Sequence, residues 1–178
     1  MERGKTKTMA DFLLPKAEKG DAKAQFSLGM IHHLGQGVPK DPTEAAKWLT
    51  LAAGGGNSGA QYLLGTLHLA GQGVEENAQT AARWFSEAAK KLHAPSQYQL
   101  GLLYLDGKGN VAPNMGQALR WLREAALDLK YPEAQFSLGM LLAEGRGVGR
   151  DPARARELLS KAANHGIDKA REWLEAND

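Results

Sequence analysis

The heptad AQFSLGM occurs twice, at residues 24–30 and 134–140, and each copy is followed by a Gly-x-Gly-Val element, at residues 35–38 and 145–148. A chain of 178 residues that repeats seven of them in this way is built from internal units. This constrains the fold more than composition does, because a short unit cannot bury its apolar face alone and has to stack on a neighbour. Alignment on the glycine loop gives two further copies, at Gly71-Gln72-Gly73-Val74 and Gly107-Lys108-Gly109-Asn110-Val111. Upstream of each loop stands a Leu-Gly pair (Gly29, Gly65, Gly101, Gly139). Downstream, Trp48, Trp84, Trp121 and Leu158 share one position, and an Ala-Ala pair follows each of them. The units run over residues 24–59, 60–95, 96–133 and 134–169, with steps of 36, 36, 38 and 36 residues to the partial unit opened by Ala170. The longer third step carries Asn110 as an insertion in its loop and one more extra residue near positions 130–132.

Within a unit the pattern reads as helix, loop, helix. Ala45, Trp48, Leu49, Ala52 and Ala53 fall on one face of an α-helix. Asp41, Asn77, Asn114 and Asp151 each lie seven residues before the Trp/Leu position, where a short polar side chain caps a helix. Pro42 and Pro152 then occupy the first helical position, where the missing N–H costs nothing. The first helix of a unit repeats apolar residues at Ala24, Leu28, Ile31 and Leu34. Its glycine, kept in all four units at about 1 kcal/mol relative to alanine, is expected to permit close approach between helices. The Gly-x-Gly element is expected to end that helix through a left-handed glycine. It is not a phosphate loop, since neither G-x-G-x-x-G after a strand nor G-x-x-x-x-G-K-[ST] is present. Trp48, Trp84 and Trp121 are expected to be the largest contributors to the buried interior.

Composition excludes several classes. With 43% hydrophobic and 24% charged residues the chain reads as globular. No window approaches the eighteen apolar residues or so of a membrane span. The first twenty residues are basic, but their apolar run at residues 9–14 is short and contains Asp11, so a secretion signal is not expected. The cytoplasm is the expected compartment, or the periplasm or exterior if a signal precedes Met1. The absence of cysteine removes disulfides, thiolate metal sites and cysteine nucleophiles. Arg146, Arg150, Arg154 and Arg156 are interspersed with Glu144, Asp151 and Glu157, which reads as a solvated surface and not as a nucleic-acid stripe.

The pattern A-x-x-x-L-G-x-x-[Y/H]-x-x-G-x-G-V-x-x-[D/N]-x-x-x-A-x-x-W-x-x-x-A-A resembles the Sel-one-like repeat (SLR) family, a relative of the tetratricopeptide repeat, over residues 24–169. The resemblance implies an all-α, right-handed α/α superhelical solenoid of helix-turn-helix repeats, with first helices lining its concave side. Residues 1–23 would form an N-terminal capping half-repeat and residues 170–178 a C-terminal capping helix. In the first of these, Phe12 and Ala17 align with Trp48 and Ala53, and Pro15 calls for a kink or a late helix start. The family also implies a non-catalytic adaptor that takes a protein or peptide on the concave face. An alternative is a bacterial envelope protein, hydrolase-like or binding peptidoglycan fragments; lack of cysteine separates this chain from the cysteine-rich penicillin-binding members.

By analogy with tetratricopeptide arrays, the groove positions are Phe26, Tyr62, Tyr98 and Phe136, one aromatic ring per unit. Beside them run Met30, Thr66, Leu102 and Met140, then His33, Leu69 and Leu105, then Asp106 and Glu144. Packing between units and display to a partner both remain open for the aromatic column. His32 and His68 share a slot filled elsewhere by Tyr104 and Leu142, which suits packing better than a metal site lacking a third ligand. His93 and His165 fall in turns and are expected to be solvated. Asp106 and Glu144 could place carboxylates on one face, but acid–base catalysis also needs a cleft and a displaced pKa. No catalytic residue, metal or cofactor is therefore expected.

Overall fold

Each second helix of a unit starts where a polar side chain takes up the free N–H groups of the first turn. In the computed structural model, which describes residues 7–177, Asp41 accepts from the N–H groups of Thr43 and Glu44, both at 3.0 Å. Asn77 accepts from Thr80 at 2.8 Å, Asn114 from Gln117 at 3.0 Å and Asp151 from Arg154 at 2.9 Å. All four caps expected from the sequence are in place. The described residues form ten α-helices and no strand: α1 (Met9–Glu18), α2 (Ala22–Leu34), α3 (Pro42–Gly54), α4 (Ser58–Ala70), α5 (Ala78–Ala89), α6 (Ala94–Asp106), α7 (Met115–Arg123), α8 (Pro132–Glu144), α9 (Pro152–Asn164) and α10 (Asp168–Ala176). The chain divides into two compact bodies, Met1–Lys91 with α1 to α5 and Leu92–Asp178 with α6 to α10. Inside each body, every helix packs on the next one in sequence. Residues 1–6 and 178, the outer ends of the expected capping segments, lie outside the described residues.

The Leu-Gly glycine is what lets a hairpin close. A Cβ on Gly29 would lie 2.6 Å from the Leu49 side chain, and one on Gly65 would lie 2.6 Å from the Phe85 ring. The same holds for Gly101 against Leu122 at 2.7 Å and Gly139 against Leu159 at 2.9 Å. Leu49, Phe85, Leu122 and Leu159 are all completely buried. The expectation of close approach is met, and the structure identifies the partner as the residue immediately after the Trp/Leu position.

That geometry corrects the weight given to the indoles. Trp48 is buried against Ala17, Ala24 and Leu28, but Trp84 and Trp121 remain partly exposed. The Arg120 guanidinium lies 4.8 Å from the Trp121 ring centre, keeping its charge in water beside the indole. Position i+1 points at the glycine of the facing helix, and the indole sits at the flank of the same stripe.

The glycine loops end all four first helices, three of them through a left-handed glycine. Gly35 ends α2 in the left-handed region at φ 73°, its N–H bonded to the Ile31 carbonyl. The second glycine of each loop also has a positive φ, and in the second unit close approach adds to that requirement. A Cβ on Gly73 would run into the Pro42 carbonyl, so the loop lies directly on the start of α3. In the third unit Gly107 has φ 69° and ψ 154°, outside the left-handed helical cap. There the inserted Asn110 is accommodated by a tight hairpin in which Lys108 and Val111 exchange backbone bonds of 3.1 and 2.9 Å.

The other extra residue appears as a π-helical turn over Glu124–Asp128, directly after α7. Leu129 N–H reaches back five residues to the Glu124 carbonyl at 3.2 Å. At the N-terminus, α1 begins at Met9 behind a Thr8–Asp11 capping box and runs through Pro15, so the late start does not occur. Ala17 and Leu13 pack toward α2, whereas Phe12, aligned with Trp48, is 63% exposed.

Phe85→Ala should cost about 3–5 kcal/mol, and Trp84→Ala, with its ring partly in water, clearly less. Urea denaturation of the two variants checks this ordering; equal losses would mean that the glycine-facing position is not the centre of the hairpin.

Candidate partner-binding faces

Each aromatic of the first-helix column is rooted in a seam between helices and leaves part of its ring open. In the first body, Phe26 on α2 reaches the start of α4, where a Cβ on Gly59 would lie 3.2 Å from the ring edge. Tyr62 on α4 packs on Phe85, with ring centres 5.9 Å apart at 44°. Both rings are partly buried, as are Met30, His33, Thr66 and Leu69 on the same helices. The Thr66 hydroxyl donates to the Leu63 carbonyl at 2.7 Å. The surface it presents is therefore largely its methyl group.

In the second body, Tyr98 on α6 packs on Tyr131 at 5.6 Å and 55°, and its hydroxyl lies 3.5 Å from Ser137 Oγ. Leu102 and Leu105 are partly buried, the latter against the Leu119–Leu138 interior. Phe136 and Met140 on α8 rest on the cluster of Leu159, Ala162 and Ala170. Asp106 and Glu144 are exposed at the ends of their helices. Asp106 pairs with Arg146 at 3.6 Å across a solvated surface, an ion pair of little energetic weight. The rings of this column therefore pack between helices and remain partly exposed.

His32 and His68 are partly buried, in keeping with a packing slot, and His68 Nδ1 lies 3.2 Å from the Glu75 carbonyl. His33 is also half-buried, and its Nδ1 and that of His32 have no hydrogen-bond partner among the described residues. Among those residues no three His, Asp or Glu side chains gather to hold a metal. No helix there is long and apolar enough to cross a membrane. His165 is exposed, as expected for a turn. His93 is not: it is partly buried at the N-cap of α6, and its Nδ1 lies 2.9 Å from the hydroxyl of the buried Ser96. Burial pushes its pKa below the ordinary histidine value.

One column is not apparent from the apolar pattern. Gln25, Gln61, Gln97 and Gln135 stand directly before the aromatic of each unit and are all buried. Gln25 Nε2 donates to the Ala17 carbonyl at 3.0 Å and Gln61 to Ala53 at 3.1 Å, each tying a first helix to the end of the preceding second helix. Gln135 does the same to Ala126 at 3.2 Å, while Gln97 reaches Glu124 at 3.4 Å. The signal for it in the sequence is a glutamine at the same place in all four units.

Comparison with known proteins adds to this geometry. A model of the Sel1 repeat matches residues 22–57, 58–91, 94–128 and 132–167. A solved structure of a protective antigen from uropathogenic Escherichia coli, described as displaying an SLR fold, is similar at TM-score 0.88 and 36% identity over 94% of this chain and 36% of that one. A Sel1 repeat protein from Oxalobacter formigenes is similar at TM-score 0.81 and 32% identity, over 95% of this chain and 48% of that one. Chitin synthase regulatory factor 3 of Schizosaccharomyces pombe is 34% identical over 68 residues, which span 38% of this chain and 7% of that protein. The chain therefore covers less than half the length of each of these relatives. The all-α architecture is that of an SLR solenoid.

The depressed pKa of His93 fixes a sign for acid stability. The imidazole is neutral in the folded chain, and in the unfolded chain it takes a proton below about pH 6.5. Stability therefore falls as pH drops through that value toward the lower folded pKa. His93→Asn keeps a polar side chain at the N-cap position without the titration. Denaturation midpoints between pH 7 and pH 5 should decline less for this variant than for the parent.

Proposed function

Because the chain belongs to the Sel1-repeat family, whose members are generally protein-interaction scaffolds, we propose that it is a non-catalytic adaptor taking a protein or peptide on its first-helix faces. The observation that carries this reading is the half-buried state of the aromatic column. Phe26 and Tyr62 in one body, and Tyr98 and Phe136 in the other, are fixed by the helices behind them and still present ring surface. A ring already immobilised loses little entropy when a partner covers it, and such aromatic anchors dominate protein interfaces. Met30, Leu102 and Met140 add adaptable apolar surface beside the rigid rings. His33, Leu69, Leu105, Asp106 and Glu144 would form the rim and set the partner's charge and shape.

The likeness to a protective antigen supports a second setting, in which the same faces meet their partner in the bacterial envelope. The binding chemistry is the same in either compartment.

The test separates display from packing. Tyr62→Ala with Tyr98→Ala removes the rings, and the matching Tyr→Phe pair keeps them. Capture from native extract, quantified by mass spectrometry against the parent, should lose partner about tenfold or more with the Ala pair and little with the Phe pair. Unchanged capture by an Ala pair of normal helicity would leave these rings as packing alone.

A further inference from the structure

The first and last helices of the described chain are the two halves of one unit. By register α1 is a second helix, since Phe12 and Ala17 align with Trp48 and Ala53. By the same register α10 is a first helix, since Ala170 aligns with Ala24. Inside the array such halves close on each other. Among the described residues α1 packs on α2 and α10 on α9, and the side of each that would form a hairpin faces solvent.

The residues on those two sides depart from the internal pattern in opposite senses. In α3, α5, α7 and α9 the positions of Ala45 and Ala52 are alanine throughout and fully buried. Helix α1 has Met9 and Lys16 there, and with Phe12 and Lys19 they form one stripe at helical spacing. Met9 and Phe12 are 65% and 63% exposed. The acidic residues of this helix, Asp11 and Glu18, fall on its opposite side. On α10 the hairpin glycine is replaced by Glu175, which shares a stripe with Asp168 and Glu172; all three are exposed, and Arg171 stands at the flank, paired with Asp168 at 3.1 Å. One face is apolar and cationic, and the other is acidic.

Contacts inside the array show how two such faces meet. A Cβ on Gly55 would lie 3.0 Å from the Ala22 Cβ, and Gly29 faces Leu49. Carried over in the repeat register, the first contact sets Lys19 of one copy opposite Asp168 of another. The second sets Leu13 opposite Glu175, with Lys16 one turn away in reach of Glu172 and Glu175. Phe12 takes the place of Trp48, which packs on Leu28, and the matching residue on α10 is the half-buried Leu174.

We propose that copies of this chain associate head to tail, α1 of one copy docking on α10 of the next to complete a fifth hairpin. Two observations select a second copy as the occupant of the α1 face: the halves share the register of the internal hairpins, and their charges are opposite at matched positions. Long side chains in place of glycine and alanine hold the two helices farther apart than in an internal hairpin, so the seam is wetter and its ion pairs are weak and screened by salt. The association is therefore reversible. It is also heterologous, and each pair leaves one α1 and one α10 free, so symmetry does not stop growth at two. Neither face includes the aromatic column, and the contact is independent of the proposed adaptor role.

Sedimentation velocity of the 178-residue chain over roughly 10 µM to 1 mM tests this. The expected result is a mean mass that rises past that of a dimer with concentration and falls on added salt. Lys16→Glu/Lys19→Glu and Glu172→Lys/Glu175→Lys should each weaken association about tenfold or more, and an equimolar mixture of the two should restore it. Phe12→Ser should weaken it at low and high salt alike. Helicity and melting temperature of each variant serve as folding controls. A monomer at every concentration, or a mixture of charge-reversed variants that stays monomeric, would overturn the proposal. So would a dimer that does not grow further and persists in Glu172→Lys/Glu175→Lys, which would assign the α1 stripe to pairing with its own copy.

Discussion

The contact between a glycine on the first helix and a large apolar residue on the second is the constraint on which the remaining structure depends. Gly29 with Leu49, Gly65 with Phe85, Gly101 with Leu122 and Gly139 with Leu159 bring the axes of each hairpin so close that no side chain fits on the glycine. A glycine inside a helix costs about 1 kcal/mol, and burial of the facing side chain returns about 1.5–3 kcal/mol. The net gain exists only when the hairpin is closed. It therefore ties helix formation to packing, which is how short helices of 9–13 residues become stable.

Closing a hairpin does not by itself join it to the next. Small alanines at the end of the second helix and the glutamine tie do that. The Gln25 and Gln61 amides donate to the backbone carbonyls of Ala17 and Ala53, groups at a helix end that also accept from the N–H groups of Gly20 and Gly56. The aromatic that follows meets later helices instead, Phe26 at Gly59 of α4, Tyr62 at Phe85 of α5 and Phe136 at Leu159 and Ala170. Consecutive residues thus serve the junction and the exposed face together, which explains why the column is neither wholly packed nor wholly displayed.

Most of this is legible in the sequence because the repeat multiplies every local signal by four. The caps at Asp41, Asn77, Asn114 and Asp151 follow from side-chain chemistry alone, and the glycine's purpose follows from its cost. Residue size misleads at the indoles: volume suggests that Trp84 and Trp121 form the centre, whereas helix phase gives that place to Phe85 and Leu122, one residue on. The glutamine column is hidden because a polar residue in an apolar stripe reads as a surface position until its carbonyl partner is known. His93 departs from the solvated turn expected of it because its burial depends on Ser96 and on the cap geometry of α6, neither of which a turn motif announces. The displayed edge of each ring is beyond sequence altogether, since it depends on how far neighbouring helices cover it.

The regularity that makes such a chain readable also limits where its specificity can lie. The columns of glycine, leucine, glutamine and alanine are nearly the same in every unit, and they are consumed by closing and joining hairpins. A partner that met only those would find four equivalent sites. What distinguishes one unit from the next lies in the columns that vary, Met30, Thr66, Leu102 and Met140 among them, and in the places where the repeat breaks its own length. The Asn110 insertion closes on itself as a hairpin through the Lys108–Val111 pair. The extra residue after α7 is different, because a helix can absorb it only by widening a turn, and widening a turn moves backbone away from what lay beneath. Ala126 and Leu127 of that turn line a surface hollow together with Leu158 and Lys161 of α9.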